Sequence, residues 1–170
     1  MAEKAVKDLA ISEKVDEARM LQSGGTTSQW VTFVVEDESY AINVLKVQEV
    51  LRNAEITPVP GAPDSVLGII NLRGNVVTVV DARLFFGLPE RRVDDSSRII
   101  IVELGQQQVA GVVVDSVAEV IELSQEEIDM APSVSSDESS RHIEGVVSRP
   151  DKLVILVNLD GVLHVAKGRR

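Results

Sequence analysis

The chain has 170 residues, of which 44% are hydrophobic and only 3% aromatic, so an aliphatic core is expected. Lys+Arg is 17 against 27 Asp+Glu, a net charge of -10, which argues against a nucleic-acid backbone or an anionic membrane as partner. With 0 Cys and 2 His, disulfides, thiolate chemistry and histidine-rich metal sites are excluded; no apolar run nears the roughly 20 residues of a membrane span, and no leader-like segment opens the chain. These bounds predict an acidic, β-rich protein of the cytoplasm.

Residues 1–28 are charge-rich and end in Ser23-Gly24-Gly25-Thr26-Thr27-Ser28, a flexible linker composition. Val6, Leu9, Val15, Ala18 and Leu21 form a weak helical stripe, so the segment reads as a flexible tail with at most a marginal helix. From Gln29 the pattern becomes short apolar strands. Trp30 to Val35 and Ser39 to Ile42 flank a turn at Glu36-Asp37-Glu38. Asn43 is placed to cap a helix over Val44 to Leu51. Thr57-Pro58-Val59-Pro60-Gly61 breaks regularity. Val66 to Leu72 and Val76 to Asp81 read as strands around Arg73-Gly74-Asn75, where glycine supplies positive φ. Ala82 to Phe86 reads as one helical turn, stopped by Gly87 and Pro89. Ile99 to Leu104 and Val109 to Val114 form a second hairpin, and Val117 to Leu123 a further strand. Ser133 to Arg141 reads as a polar loop. Ile143 to Val147 and Leu153 to Val157 close the series, with Leu159 to Val165 a weak helical end.

An internal echo runs through this pattern. Gly68-Ile69-Ile70-Asn71 precedes Val76 to Asp81 as Gly145-Val146-Val147-Ser148 precedes Leu153 to Asn158. Val47-Gln48-Glu49-Val50 likewise echoes Val117-Ala118-Glu119-Val120. Two copies of one small β unit, each too small for a secure core alone, should pack together and leave a groove.

The search for chemistry is mostly negative. No phosphate-binding glycine loop and no nucleophile elbow occur. His142, His164 and the serines of residues 133–140 fit solvated loops. Asp81 and Asp115 end apolar strands, as a receiver domain's phosphoacceptor does. Such domains need long crossover helices, whereas these strands are joined by short turns, and Asp81 is well placed to cap the following turn. The most specific signal is Asn71-Leu72-Arg73-Gly74, a polar hairpin between apolar strands. Glu49 could meet Arg73 in a forked pair whose value lies in specificity.

In combination, Tyr40 to Val50, Gly68 to Gly74, Val79 to Asp81, Val109 to Asp115 and Leu153 to Asn158 resemble the CheW family of chemotaxis coupling proteins. The resemblance spans about Gln29 to Leu163. It implies an all-β fold, mainly antiparallel, of two SH3-like five-stranded barrel subdomains with short helices. The implied organisation is a tail at 1–28, intertwined barrels at 29–165 and a C-terminal tail at 166–170. It implies a non-enzymatic adaptor, without cofactor or metal, joining methyl-accepting chemotaxis receptors to the regulatory domain of the histidine kinase CheA. Its expected place is cytoplasmic, at receptor arrays on the inner face of the membrane, with no membrane insertion and no nucleic acid. The family's functional ion pair falls on Arg73 and Glu49, its receptor contacts on Val47 and Val50, and a position whose side-chain tolerance matters to coupling on Gly68, with Asn71 of the same motif a further partner-binding candidate. A phosphoacceptor using Asp81 or Asp115 is the alternative.

Overall fold

β-Branched residues alternate along nearly every strand of the computed structural model, which describes residues 6–7, 9–21, 27–89, 94–105, 108–130 and 143–159. Strand β1 is Val6–Lys7, followed by helix α1, Leu9–Leu21. β2 (Thr27–Val35) and β3 (Glu38–Asn43) form a hairpin; a 3-10 turn, Val44–Lys46, leads into β4 (Val47–Asn53). Then come β5 (Val66–Leu72), β6 (Asn75–Asp81) and the short helix α2 (Ala82–Phe85). β7 (Arg98–Leu104), β8 (Gln108–Val114), β9 (Ser116–Ser124), β10 (Asp129–Met130), β11 (Ile143–Arg149) and β12 (Lys152–Val157) complete the order.

The strands make two sheets, ordered β1-β4-β7-β8-β6-β5 and β10-β11-β12-β3-β2-β9. Without the two-residue edge strands β1 and β10, each is five-stranded. Pairing is antiparallel except where β6 meets β8 and β12 meets β3. The expected all-β, mainly antiparallel fold is therefore present. Each barrel is closed where its first strand leaves. Thr57 and Ile69 exchange backbone hydrogen bonds of 2.9 Å in the first barrel. Asp129 pairs with Val146 in the second.

Strands at the seam serve two cores at once. In β7, Ile99 and Ile101 fill the first barrel while Ile100 and Val102 face the seam. In β2, Trp30 fills the second barrel while Val31, Phe33 and Val35 face the seam. Alternation of period two thus places one apolar set inside each barrel and the other between them. The seam core draws residues from both barrels, which explains how two small barrels avoid the marginal stability of a lone small core.

The internal echo is real but its copies are exchanged. β2 to β6 form one copy and β7 to β12 the other, yet the first barrel joins β4, β5 and β6 of one copy to β7 and β8 of the next. The registers repeat: Val79 lies opposite Gly111 as Leu156 lies opposite Ala41. The bulges repeat too. Gln48 is the extra residue between Val47 and Glu49, and Ala118 holds the matching position between Val117 and Glu119. The two halves are interlocked rather than contiguous.

Two local expectations are corrected. The helix expected over Val44 to Leu51 is a single 3-10 turn followed by strand β4; Asn43 does cap it, its Oδ1 accepting from Leu45 N at 2.9 Å. The bulge at Gln48 puts Val47 and Val50, three residues apart, in the same core, so their spacing imitates a helix. The tail at 1–28 is not loose over its described residues. β1 pairs with β4, and α1 buries Ser12, Val15 and Ala18. Leu9, expected on the apolar stripe, is exposed. The polar loop of Ser133 to Arg141, His142, His164 and nearly all of the weak C-terminal helix lie outside the described residues.

Candidate functional site

The β5–β6 hairpin turns on Arg73 and Gly74, with φ of 52° and 87°. A tight two-residue hairpin with this twist requires positive φ at both central positions, so a non-glycine residue is held in a sparsely populated conformation. Asn71 offsets part of that cost, its Oδ1 accepting from Gly74 N at 2.9 Å. Asn71 is therefore a hairpin brace. The turn aims Arg73 at β4, where Nη1 and Nη2 each donate to Glu49 Oε2 at 2.6 Å. The forked pair that the sequence allowed is present, although its fork closes on one carboxylate oxygen. Burial is lopsided: the Arg73 side chain is 64% exposed and that of Glu49 5%.

The pair is not a by-product of the repeat. The register that aligns Gly68 with Gly145 aligns Arg73 with Pro150, and the β4 register aligns Glu49 with Glu119. Pro150 has no cation to offer, and Glu119 is exposed.

Gly68 lies where β5 closes on the chain leaving β4. Its φ is 153°, and a Cβ there would stand 2.2 Å from Thr57 O and 2.9 Å from Ile56 Cγ2. Close backbone approach makes glycine necessary at this point. Val47 and Val50, expected to line an open groove, are fully buried instead. Helix α1 covers them. Arg19 Nη1 donates to Val47 O at 2.5 Å and Ser12 Oγ to Val50 O at 3.3 Å. Val15 and Ala18 join the same apolar core.

A second ionic cluster escaped the sequence reading. Arg83, on α2, is buried and donates from Nε to Asp115 Oδ1 at 3.0 Å and from Nη2 to Asp115 Oδ2 at 2.8 Å. Its Nη1 meets Pro89 O at 3.0 Å and Glu36 Oε1 at 2.5 Å. Hydrogen bonding to Asp115 holds the guanidinium above even its usual range, against the opposing effect of burial. The Asp115 carboxylate also accepts from Glu36 N, and Asp115 N donates to Val34 O. The cluster ties α2 of the first barrel to the β2–β3 turn of the second. Asp81 is buried and caps α2, accepting from Arg83 N at 2.9 Å. Both acids that tempted a phosphoacceptor reading are thus engaged in holding the fold.

Among the described residues no group of three or more His, Cys, Asp or Glu could hold a metal ion, and no buried side-chain N or O lacks a hydrogen-bond partner. No helix among them is long and apolar enough to cross a membrane. The described residues thus form interlocked barrels with satisfied interiors and a buried carboxylate latched by an exposed arginine. Comparison with known proteins shows what the chain is similar to. The CheW-like domain family matches residues 29–167. The chemotaxis protein CheW of Helicobacter pylori is 34% identical over 135 residues, 79% of this chain and 81% of that protein. The CheW of Rhizobium meliloti is 35% identical over 147 residues, 85% of this chain and 92% of that protein. The crystal structure of the scaffolding protein TtCheW from Thermoanaerobacter tengcongensis superposes with a TM-score of 0.73 at 36% identity, covering 79% of this chain and 91% of that one. The chain belongs to the CheW-like family of chemotaxis scaffolding proteins and is a chemotaxis coupling adaptor.

Proposed function

We propose that this adaptor joins the cytoplasmic tips of methyl-accepting chemoreceptors to the regulatory domain of the kinase CheA, without catalysis, at receptor arrays on the inner face of the membrane. The observation that carries the reading is the Glu49–Arg73 pair. A carboxylate that β4 buries is reached by a solvent-facing guanidinium, on one barrel only. Such a pair fixes the orientation of a contact surface and adds little to folding. Gly68 and Asn71 support it by setting the course of β5 and its hairpin. Val47 and Val50 contribute the apolar floor beside it. Val76 and Leu153, 68% and 56% exposed, hold equivalent places beside the two hairpins and give each barrel an apolar contact point. Two such points suit a bridging protein that gains from multivalent assembly.

Co-precipitation of the purified chain with the CheA regulatory domain, and separately with a soluble receptor hairpin, tests the reading. Capture by both is expected; capture by neither overturns it. Intact-mass measurement after incubation with acetyl phosphate addresses the phosphoacceptor alternative. The mass should stay unchanged, because Asp81 and Asp115 are occupied by α2 and Arg83. A stoichiometric phosphoryl adduct would establish the alternative.

A further inference from the structure

The segment preceding the family-matched region, residues 6–21, lies on the proposed docking face. α1 packs against β4 of the first barrel and against β2 and β9 of the second, so it lies along the seam. Its hydrogen bonds to β4 fall on Val47 and Val50: Arg19 donates to the Val47 carbonyl, and Ser12 Oγ donates to the Val50 carbonyl and accepts from Val50 N. β1 adds itself to the free edge of β4, with Val6 opposite Asn53 and Lys7 opposite Leu51. An extra strand on an open edge and a helix in an apolar groove are two ways in which a separate partner is recognised. Here the chain applies both to itself.

We infer that β1 and α1 form a strap that occupies the seam as an intramolecular stand-in for a partner helix, and that the partner must displace it. This rests on reading the Val47–Val50 segment as the docking face. The strap's grip is shallow. The fully buried side chains of α1 are Ser12, Val15 and Ala18, all small, while Leu9 and Met20 are 63% and 79% exposed. β1 is two residues long. A helix whose fully buried side chains are small, with Ile11 half-buried beside them and two polar side chains bonded to β4, can lift away without unfolding either barrel. The seam accepts small side chains at i, i+3 and i+6, which is the pattern a competing helix would present.

A self-occupied groove lowers apparent affinity by the fraction of molecules with the groove free. The test uses the full chain, which has no native cysteine, and a soluble chemoreceptor hairpin as probe. Val6→Cys with Asn53→Cys places a disulfide across the β1–β4 register, locking the strap when oxidised and releasing it when reduced. The oxidised form should bind the hairpin at least about tenfold more weakly than the same protein reduced. Val15→Asp should unseat α1, bind about tenfold more tightly than the parent, and speed amide exchange in β4 while β7 and β8 stay protected. If Val15→Asp fails to fold, the disulfide pair alone decides. Equal affinity of oxidised and reduced forms overturns the strap and leaves the docking reading standing. Absence of binding in every form, including the reduced one, overturns the docking reading and the strap with it.

Discussion

Arg73 places both terminal nitrogens 2.6 Å from a single oxygen of Glu49. Glu49 lies on β4 and Arg73 in the β5–β6 turn of the same barrel, and the contact depends on that turn holding arginine at positive φ. That strain is retained where ordinary hairpin chemistry would favour Asn-Gly. With one partner mostly in water, the pair contributes about 1 kcal/mol or less to stability. Its arrangement is better explained by what the exposed guanidinium presents to a partner.

Val47→Asp separates a core role from a surface role. Val47 is fully buried, in the core that also holds Val50 and Ile100. A carboxylate there would sit in an apolar core, while the nearby Arg19 is already engaged by the Val47 carbonyl, and should cost about 3–5 kcal/mol, a large part of a typical domain's stability. Urea denaturation followed by circular dichroism should show the midpoint collapse. A native midpoint would mean that the strap leaves this position open to solvent in solution.

Gly68 and Gly145 occupy matching places in the two barrels, yet their tolerance differs. A Cβ on Gly68 meets backbone at 2.2 Å and the φ is 153°; on Gly145 the closest backbone atom is Asp129 O at 2.9 Å. Gly68→Ala should cost about 2–4 kcal/mol and Gly145→Ala about 1–2 kcal/mol. Thermal unfolding of the two variants gives the order directly; a larger loss at Gly145 contradicts the closure geometry.

Arg83 is the latch between the barrels. Arg83→Met removes the cation while Asp115 and Glu36 remain, and should cost about 3 kcal/mol. Arg83→Lys keeps the charge but loses the two-pronged bond to Asp115, so about half of that loss is expected. Denaturation midpoints that place the lysine variant below the methionine variant would contradict an electrostatic role.

Tyr40 gives a pH-dependent signature. Its ring stacks between Phe33 and Phe86, at centroid separations of 5.7 and 4.7 Å. Burial, helped by the negative charge of Glu38, raises its phenol above the ordinary 10.0. The unfolded chain therefore loses this proton at a lower pH than the folded one. The stabilisation is complete below about pH 10 and is lost as pH rises through the folded value. Tyrosinate absorbance reports on this residue alone, since the sequence has 1 Tyr. Its rise should lie above pH 10 in the folded protein; ionisation at the ordinary value with the fold intact contradicts the stacked, buried ring.

The parts of the fold and site that follow local rules were legible in the sequence. The β5–β6 hairpin and the Asp81 cap came from turn chemistry and apolar alternation, the paired repeats from matching segments, and the meeting of Arg73 with Glu49 was a possibility that the family resemblance strengthened. β4 was misread because a bulge at Gln48 converts a spacing of two into three. The exchange of hairpins between repeats leaves no local trace, because the swapped and unswapped arrangements bury the same residues. The Arg83 cluster was invisible for a related reason: Glu36, Arg83 and Asp115 meet only after the barrels interlock. α1 was underrated because its stripe was weak: Val15 and Ala18 of that stripe are buried, but Leu9 is exposed and the polar Ser12 takes part in the buried face.

Charge reversal across the Glu49–Arg73 pair tests the coupling role most directly. Kinase activity is measured in complexes reconstituted from a receptor hairpin, CheA and each variant, with circular dichroism confirming the fold. Arg73→Glu sets two carboxylates against each other and should lower receptor-dependent activation about tenfold or more, while Arg73→Glu with Glu49→Arg should regain a clear part of it. Full activation by Arg73→Glu, or additive losses in the double variant, would contradict a functional pair.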